Sequence, residues 1–212
     1  MACSCSGPEN TTPSEGFRKA LWFALIVNAT MFIVEGIASL QSGSVSLMAD
    51  AIDFFGDSAN YILSLSVLSM GMLWRSRAAL VKGVTMALFG LVVWVRAIWL
   101  MQTGTVPEPL TMGAVGILAL LANVSVAFVL FRFREGDSDM RSVWLCSRND
   151  AIGNLAVMAA ALGVFGTGSA WPDLAVAAIM GTLAVTAGIS VIRHARSDMA
   201  QATASKAGSA AH

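Results

Sequence analysis

The sequence predicts an all-α membrane protein, built as a bundle of six transmembrane helices. Of its 212 residues, 56% are hydrophobic and only 12% are charged, and the mean hydropathy is +0.71. An ordinary soluble domain carries about 25% charged residues. The chain also contains six apolar runs close to the 20 residues that a helix needs to cross the hydrocarbon core. We therefore expect a polytopic protein that lies in a lipid bilayer.

The six predicted spans fill most of the chain and are joined by short connections. They cover residues 21–40, 45–73, 78–101, 111–131, 143–165 and 171–192. We interpret residues 17–196 as one transmembrane domain. The polar stretches at 1–16 and 197–212 are expected to be disordered cytoplasmic tails, because neither contains a long apolar run.

The basic residues predict the orientation of the bundle. They precede the first span, follow the sixth, and lie in or beside the second-to-third and fourth-to-fifth connections: Arg18, Lys19, Arg75, Arg77, Lys82, Arg132, Arg134, Arg141, Arg193, Arg196 and Lys206. The three opposite connections contain no Lys or Arg. By the positive-inside rule, both termini face the cytoplasm of a cell (inner or plasma) membrane. The formal net charge is zero, so nothing indicates a nucleic-acid partner.

Three aspartates crowd the second span. A charged group at the bilayer centre costs roughly 2.5 to 3.5 kcal/mol on insertion scales, so an acid there indicates an ion or proton pathway. Asp53 and Asp57 are four residues apart, which places them on one helix face about 6 Å apart along the axis. Two carboxylates at that spacing can share one cation. Asp50 borders the same face, where it could guide an ion or hydrogen-bond a neighbour.

The fifth span carries a second group of polar residues on one face. Cys146, Asp150 and Asn154 follow one another at intervals of four. Thiolate sulfur and carboxylate oxygen are both zinc ligands, and two residues from each of two helices would complete a four-coordinate shell. A transporter must release its ion, and protonation of such ligands lowers their affinity for metal. Cys146 could instead pack as a small hydrophobic residue.

These two segments are similar to those of a known family. GSVSLMADAIDFFGDSANYILSL resembles the second transmembrane helix of the cation diffusion facilitators, proton-coupled exporters of zinc and related divalent cations, and LCSRNDAIGNLAVMAAALGVF resembles their fifth. The resemblance covers residues 17–196. It implies a six-helix domain whose four-ligand metal site is made by Asp53, Asp57, Cys146 and Asp150. It also matches Glu35, in the first span, to an acidic position of the family.

The sequence departs from the family pattern in two ways. Where Cys146 stands, members usually have His or Asp, and a softer thiolate favours zinc and cadmium over manganese or magnesium. Many members also carry a cytoplasmic metal-binding domain after the sixth helix, and this sequence resembles a short form without one. A homodimer would then depend on membrane helices. Small residues four apart on the sixth span permit close helix contact, inside the bundle or between protomers: Ala177, Gly181, Ala184 and Gly188.

The depths of the two acidic groups do not match if both helices are straight and confined to the predicted spans. Asp53 and Asp57 lie near the middle of theirs, whereas Asp150 lies only roughly 10 Å from the start of the fifth span. The offset would disappear if the fifth helix left the membrane near Ala161 or Leu162 and its first turns projected into the cytoplasm.

Two other classes of protein also use intramembrane carboxylates. A proton-coupled exporter of organic cations would need an aromatic cage, and the chain has a single tyrosine. An intramembrane aspartyl hydrolase would use one acid from each of two helices, such as Asp57 and Asp150, but its glycine-flanked aspartate motif is absent. We therefore predict a secondary active transporter, not an enzyme. It would exchange zinc, and also cadmium, for protons by alternating access, in metal efflux and resistance, with no bound cofactor.

Three residues have no assigned role at this point. Arg96 could pair with an intramembrane acid such as Glu35 or reach for lipid headgroups. Cys3 and Cys5 could capture a soft metal ion, although their pattern is short and stands alone.

Overall fold

The described residues of this computed structural model, 15–66, 72–133 and 138–209, form six α-helices. They are α1 (Glu15–Ser42), α2 (Val45–Ser66), α3 (Met72–Thr103), α4 (Pro109–Leu130), α5 (Ser138–Thr167) and α6 (Trp171–Ser209), and a short 3-10 turn at Phe131–Phe133 follows α4. The predicted all-α, six-helix fold is confirmed.

Five of these helices, α1, α3, α4, α5 and α6, are long and apolar enough to cross a membrane. Helix α2 is also long enough to cross a membrane, but its three aspartates make it more highly charged than a typical membrane-crossing helix. Large apolar side chains also point outwards: Ile33 is 59% exposed and Phe165 is 71% exposed. Such an outer surface would be unfavourable in water and is suited to lipid. The protein is a multi-pass membrane protein.

Helix α2 lies at the centre of the bundle. Helices α1, α2, α4 and α5 pack around one another, and α3 pairs along its length with α6 beside them. Each of the four apolar core clusters contains a residue of α2, namely Tyr61, Val45, Leu47 and Phe54. The helix that carries the three aspartates is therefore surrounded by its neighbours.

Glycines allow α3 and α6 to approach closely. A Cβ atom on Gly188 would lie 2.7 Å from the Gly83 carbonyl oxygen and 2.8 Å from the Ala87 nitrogen, and one on Gly181 would lie 3.0 Å from Val93 Cγ1. Because the contacts at Gly188 involve backbone atoms, a larger residue there could not be accommodated by turning a side chain. The small residues of α6 thus serve contact inside the bundle, which was one of the two predicted alternatives.

Helix α5 begins earlier than the sequence predicted, and this changes the depth of Asp150. From Ser138, at 1.5 Å per residue, Asp150 lies about 18 Å along the axis, near the middle of the helix. The helix also continues past Ala161 and Leu162 to Thr167. The early start adds turns before the predicted span, and their projection into the cytoplasm stays a prediction.

The prediction for the C-terminal tail needs correction. Residues 197–209 belong to α6, which continues to Ser209, whereas disorder was predicted from residue 197. The segment contains four alanines, the strongest helix former, and no proline. Of the N-terminal tail, residues 1–14, including Cys3 and Cys5, lie outside the described residues, and Glu15 already begins α1.

Helix α4 begins with a side-chain cap. The Glu108 carboxylate accepts hydrogen bonds from the backbone N–H groups of Leu110, at 3.0 Å, and Thr111, at 2.6 Å. Pro109 follows as the first helical residue, where its missing N–H costs nothing. Hydrogen bonds from the Thr111 side chain and backbone, and from the Leu110 backbone, hold the pKa of Glu108 below its ordinary value.

Candidate metal centre

The acids of α2 are turned into the bundle. Asp50 is 2% exposed and Asp57 is 7% exposed, and Asp53 is partly buried between them. Helical periodicity places Asp53 and Asp57 one turn apart on the same face. Charged groups are rarely buried unless they are paired with other groups, so the site must be understood from what faces them.

Helix α5 brings a third carboxyl group to this face. The side chain of Asp150 lies close to those of Asp53 and Asp57, and its Oδ2 atom has no hydrogen-bond partner among the described residues. Three carboxylates this close repel one another strongly in a poorly solvated site, unless they share a proton or a cation. Asp150 of α5 thus lies beside Asp53 and Asp57 of α2, and the assignment of these residues as metal ligands stays a prediction.

Within the part of the chain whose side chains are described, no three His, Cys, Asp or Glu residues converge tightly enough to hold a metal ion. Cys146 lies in α5 one turn before Asp150, but its side chain is outside that part. Its role as the fourth ligand therefore stays a prediction.

Asn154 lies one turn beyond Asp150 on α5 and is fully buried. Neither its Oδ1 nor its Nδ2 atom has a hydrogen-bond partner among the described residues. A buried amide without partners is costly, by about 1 to 3 kcal/mol for each such polar group. The residue therefore offers a donor and an acceptor beside the carboxyl cluster, and an accessory role for it in the ion pathway stays a prediction.

Glu35 and Asp50 form a second carboxyl pair, between α1 and α2. Glu35 is fully buried, and Asp50 lies close to it on α2. Neither oxygen of Glu35 has a hydrogen-bond donor in the described ranges, and the same holds for Oδ2 of Asp50. Asp50 precedes Asp53 by three residues, so this pair adjoins the three-carboxylate cluster along α2.

Tyr61 connects the two acid-bearing helices, and the sequence analysis gave it no such role. Its hydroxyl donates to Oδ2 of Asp57 at 3.3 Å and lies 3.0 Å from the Ser147 hydroxyl of α5. The signal was present in the sequence, because Tyr61 follows Asp57 by four residues and therefore shares its face. The ring is also part of the apolar core.

Asp173 was also missed, and it anchors the first turn of α2. Its carboxylate accepts from the Ser44 hydroxyl at 2.7 Å, the Val45 N–H at 2.9 Å, and the Ser46 N–H and hydroxyl at 3.1 and 2.6 Å. A negative charge is favourable at a helix N-terminus, where backbone N–H groups lack helical partners. Asp173 is fully buried near the start of α6, so it fixes the acid-bearing helix to α6.

Two basic residues of α3 are buried to different extents. Lys82 is only 7% exposed and hydrogen-bonds the Asn60 side chain. The sequence had placed it among the basic residues at the edge of a span. Arg96 is partly buried, and its Nε atom has no hydrogen-bond partner among the described residues.

Comparison with known proteins identifies the family. The family of the cation efflux transmembrane domain matches residues 21–200. The chain belongs to the cation efflux family, the cation diffusion facilitators. Members of this family are transporters, not enzymes, as the sequence predicted.

Several curated relatives within the cation efflux family are bacterial metal transporters. The cadmium, cobalt and zinc/H(+)-K(+) antiporter of Bacillus velezensis is 23% identical over 192 residues, covering 83% of this chain and 61% of the relative. The zinc transporter ZitB of Escherichia coli is 25% identical over 181 residues, covering 79% and 58%. ZitB of Pectobacterium atrosepticum is 31% identical over 164 residues, covering 69% and 50%. The chain thus spans about half to three fifths of these relatives.

Proposed function

We propose that this protein moves zinc, and also cadmium, out of the cytoplasm in exchange for protons, by alternating access. The observation that carries the proposal is the approach of Asp150 on α5 to both Asp53 and Asp57 on α2, inside a domain of the cation efflux family. Three buried or partly buried acids from two helices offer oxygen ligands and strong negative charge. The names of the relatives, which include zinc, cadmium and cobalt, support these metals as substrates.

The proposed ligands are Asp53, Asp57, Cys146 and Asp150. Zinc accepts carboxylate oxygen at about 2.0 to 2.2 Å and thiolate sulfur at about 2.3 Å, usually in a tetrahedral shell. A thiolate among the ligands favours the softer ions zinc and cadmium. Small movements of α2 against α5 would draw the side chains around an ion, or separate them to release it.

Protons provide the second half of the proposed exchange. Metal binds to the deprotonated ligands, so a proton that reaches Asp53, Asp57 or Asp150 competes directly with the ion. Glu35 and Asp50, next to this cluster, are suited to lie on the pathway of ions or protons. An inward proton gradient would then drive metal outward.

The proposed orientation has both termini in the cytoplasm of the inner or plasma membrane, following the distribution of Lys and Arg. A homodimer through membrane helices stays a prediction. The glycines of α6 already contact α3. Such a dimer would therefore form through a different surface of the bundle, one that faces lipid.

Equilibrium dialysis of the purified protein in detergent micelles against zinc tests the metal site. Asp57→Asn and Asp150→Asn each remove a negative ligand and should weaken zinc binding at least tenfold. Asp198→Asn is the matched control, because Asp198 is exposed on α6, and it should bind as wild type does. Wild-type affinity in both of the buried variants would overturn the proposed site.

The role of Cys146 has its own test. Cys146→His replaces a soft sulfur ligand with a nitrogen ligand, and zinc accepts both. We expect zinc binding to remain and the zinc-to-cadmium affinity ratio to rise. A ratio equal to that of wild type would remove Cys146 from the ligand set.

A further inference from the structure

Lys82 is a buried cation on the helix that faces the aspartates. It lies in α3, and its side chain is only 7% exposed. Its ammonium group donates a hydrogen bond to Oδ1 of Asn60 on α2. Lysine is rarely buried to this extent, because its charge must be desolvated. Lipid-facing stretches of α3 would offer the side chain an easier route to headgroups, so its inward position calls for a physical reason.

The position of Asn60 locates the ammonium relative to the carboxyl cluster. Asn60 follows Asp57 by three residues, so the two side chains are neighbours on one face of α2, about 4.5 Å apart along the axis. The hydrogen bond to Asn60 therefore holds the charge of Lys82 about one helical turn from Asp57. The charge acts electrostatically on both Asp53 and Asp57.

We propose that Lys82 determines the affinity of this site, acting as a tethered cation that opposes the bound metal ion and promotes its release. The inference rests on the proposed metal site of Asp53, Asp57 and Asp150. The three carboxylates, the proposed Cys146 thiolate and the ammonium sum to three negative charges around a divalent cation. Without the ammonium, the same ion would meet four negative charges and would bind more tightly. An exporter must release its metal ion, and a fixed positive charge near the site promotes that release.

The proposal is distinguishable from a purely structural role for Lys82. If the lysine only held α3 against α2, removing it would loosen the site and weaken metal binding, or leave it unchanged. If it opposes the ion electrostatically, a neutral replacement should strengthen binding and slow dissociation. Two unit charges within a protein interact strongly at a separation of about one helical turn, so the effect should reach at least about tenfold.

The test measures the zinc dissociation constant and dissociation rate of the purified full chain in micelles, by competition with a chromophoric chelator. Lys82→Met and Lys82→Gln remove the charge, whereas Lys82→Arg retains it. Lys19→Gln is the matched control, because Lys19 is exposed on α1 and pairs with Glu15 at 2.9 Å. We expect both neutral variants to bind zinc at least tenfold more tightly and to release it more slowly. Lys82→Arg and Lys19→Gln should stay within about twofold of wild type.

Equal or weaker zinc binding by a folded neutral variant would overturn the role of Lys82. A thermal melt of each variant establishes folding, and if one neutral variant does not fold, the other decides. The Asp57→Asn variant, measured in parallel, separates this inference from the proposed function. Wild-type zinc affinity in Asp57→Asn would count against the proposed site itself. Affinity that falls at least tenfold in Asp57→Asn but is unchanged in the Lys82 variants would defeat only the inference.

Discussion

Replacing Asp173 with alanine should destabilise the protein by about 2 to 8 kcal/mol. The carboxylate accepts four hydrogen bonds, two of them from the backbone N–H groups of Val45 and Ser46 at the start of α2. Leaving those two buried donors without partners costs about 1 to 3 kcal/mol each, and the lost interaction of the charge with the helix terminus adds up to about 2 kcal/mol. The Ser44 and Ser46 hydroxyls lie 3.3 Å apart and can hydrogen-bond each other. The loss of their bonds to Asp173 therefore adds little to the destabilisation.

Unfolding of the purified protein in mixed micelles of increasing SDS content measures this difference. Hydrogen exchange at the first turn of α2 should increase in the same variant, because that turn loses its anchor on α6. Glu108→Ala is the matched control, since Glu108 also caps a helix but is exposed to solvent. Its unfolding should change much less. The reasoning would be refuted if Asp173→Ala unfolded as wild type does, or if the two variants were equally destabilised.

Three further predictions follow from the packing and hydrogen bonds. Gly188→Ala should destabilise the α3–α6 contact by about 1 to 3 kcal/mol in SDS unfolding, whereas Gly113→Ala, with no atom within 4 Å of the new Cβ, should not. Because the pKa of Glu108 is lowered in the folded protein, its cap stabilises α4 fully at pH values above the ordinary pKa of glutamate. That stabilisation is lost as the pH falls through the lowered pKa. NMR of the α4 amides should follow that loss in wild type but not in Glu108→Gln. Tyr61→Phe removes the hydrogen bond to Asp57 and should weaken zinc binding about 2- to 10-fold in dialysis; unchanged affinity would contradict this.

The helices and the acidic cluster were predictable because they depend on local properties of the chain. Apolar runs near 20 residues specify membrane helices, and spacing by four puts Asp53 and Asp57 on one face. The meeting of these acids with Asp150 depends on the packing of α2 against α5. The residue types and the family resemblance indicated that these acids meet. The position of Asp150 along its helix could not be predicted, because α5 begins at Ser138 and the predicted span begins at residue 143.

The features that the sequence did not predict depend on contacts between distant parts of the chain. Ser44 and Asp173 are separated by 129 residues, and no local pattern connects a serine before one helix with an aspartate near the start of another. The burial of Lys82 could not be predicted either, because its partner Asn60 lies on another helix. The helical end of α6 was missed for a different reason, since a polar, alanine-rich segment is compatible with both disorder and helix.

Zinc uptake into proteoliposomes, with and without an imposed pH gradient, tests the central claim most directly. The comparison is between wild type and Asp57→Ala, reconstituted at equal density. The account predicts uptake by wild type that depends on the gradient and is lost in the variant. No zinc movement by folded wild type, or uptake that survives in Asp57→Ala, would contradict metal–proton exchange through this cluster.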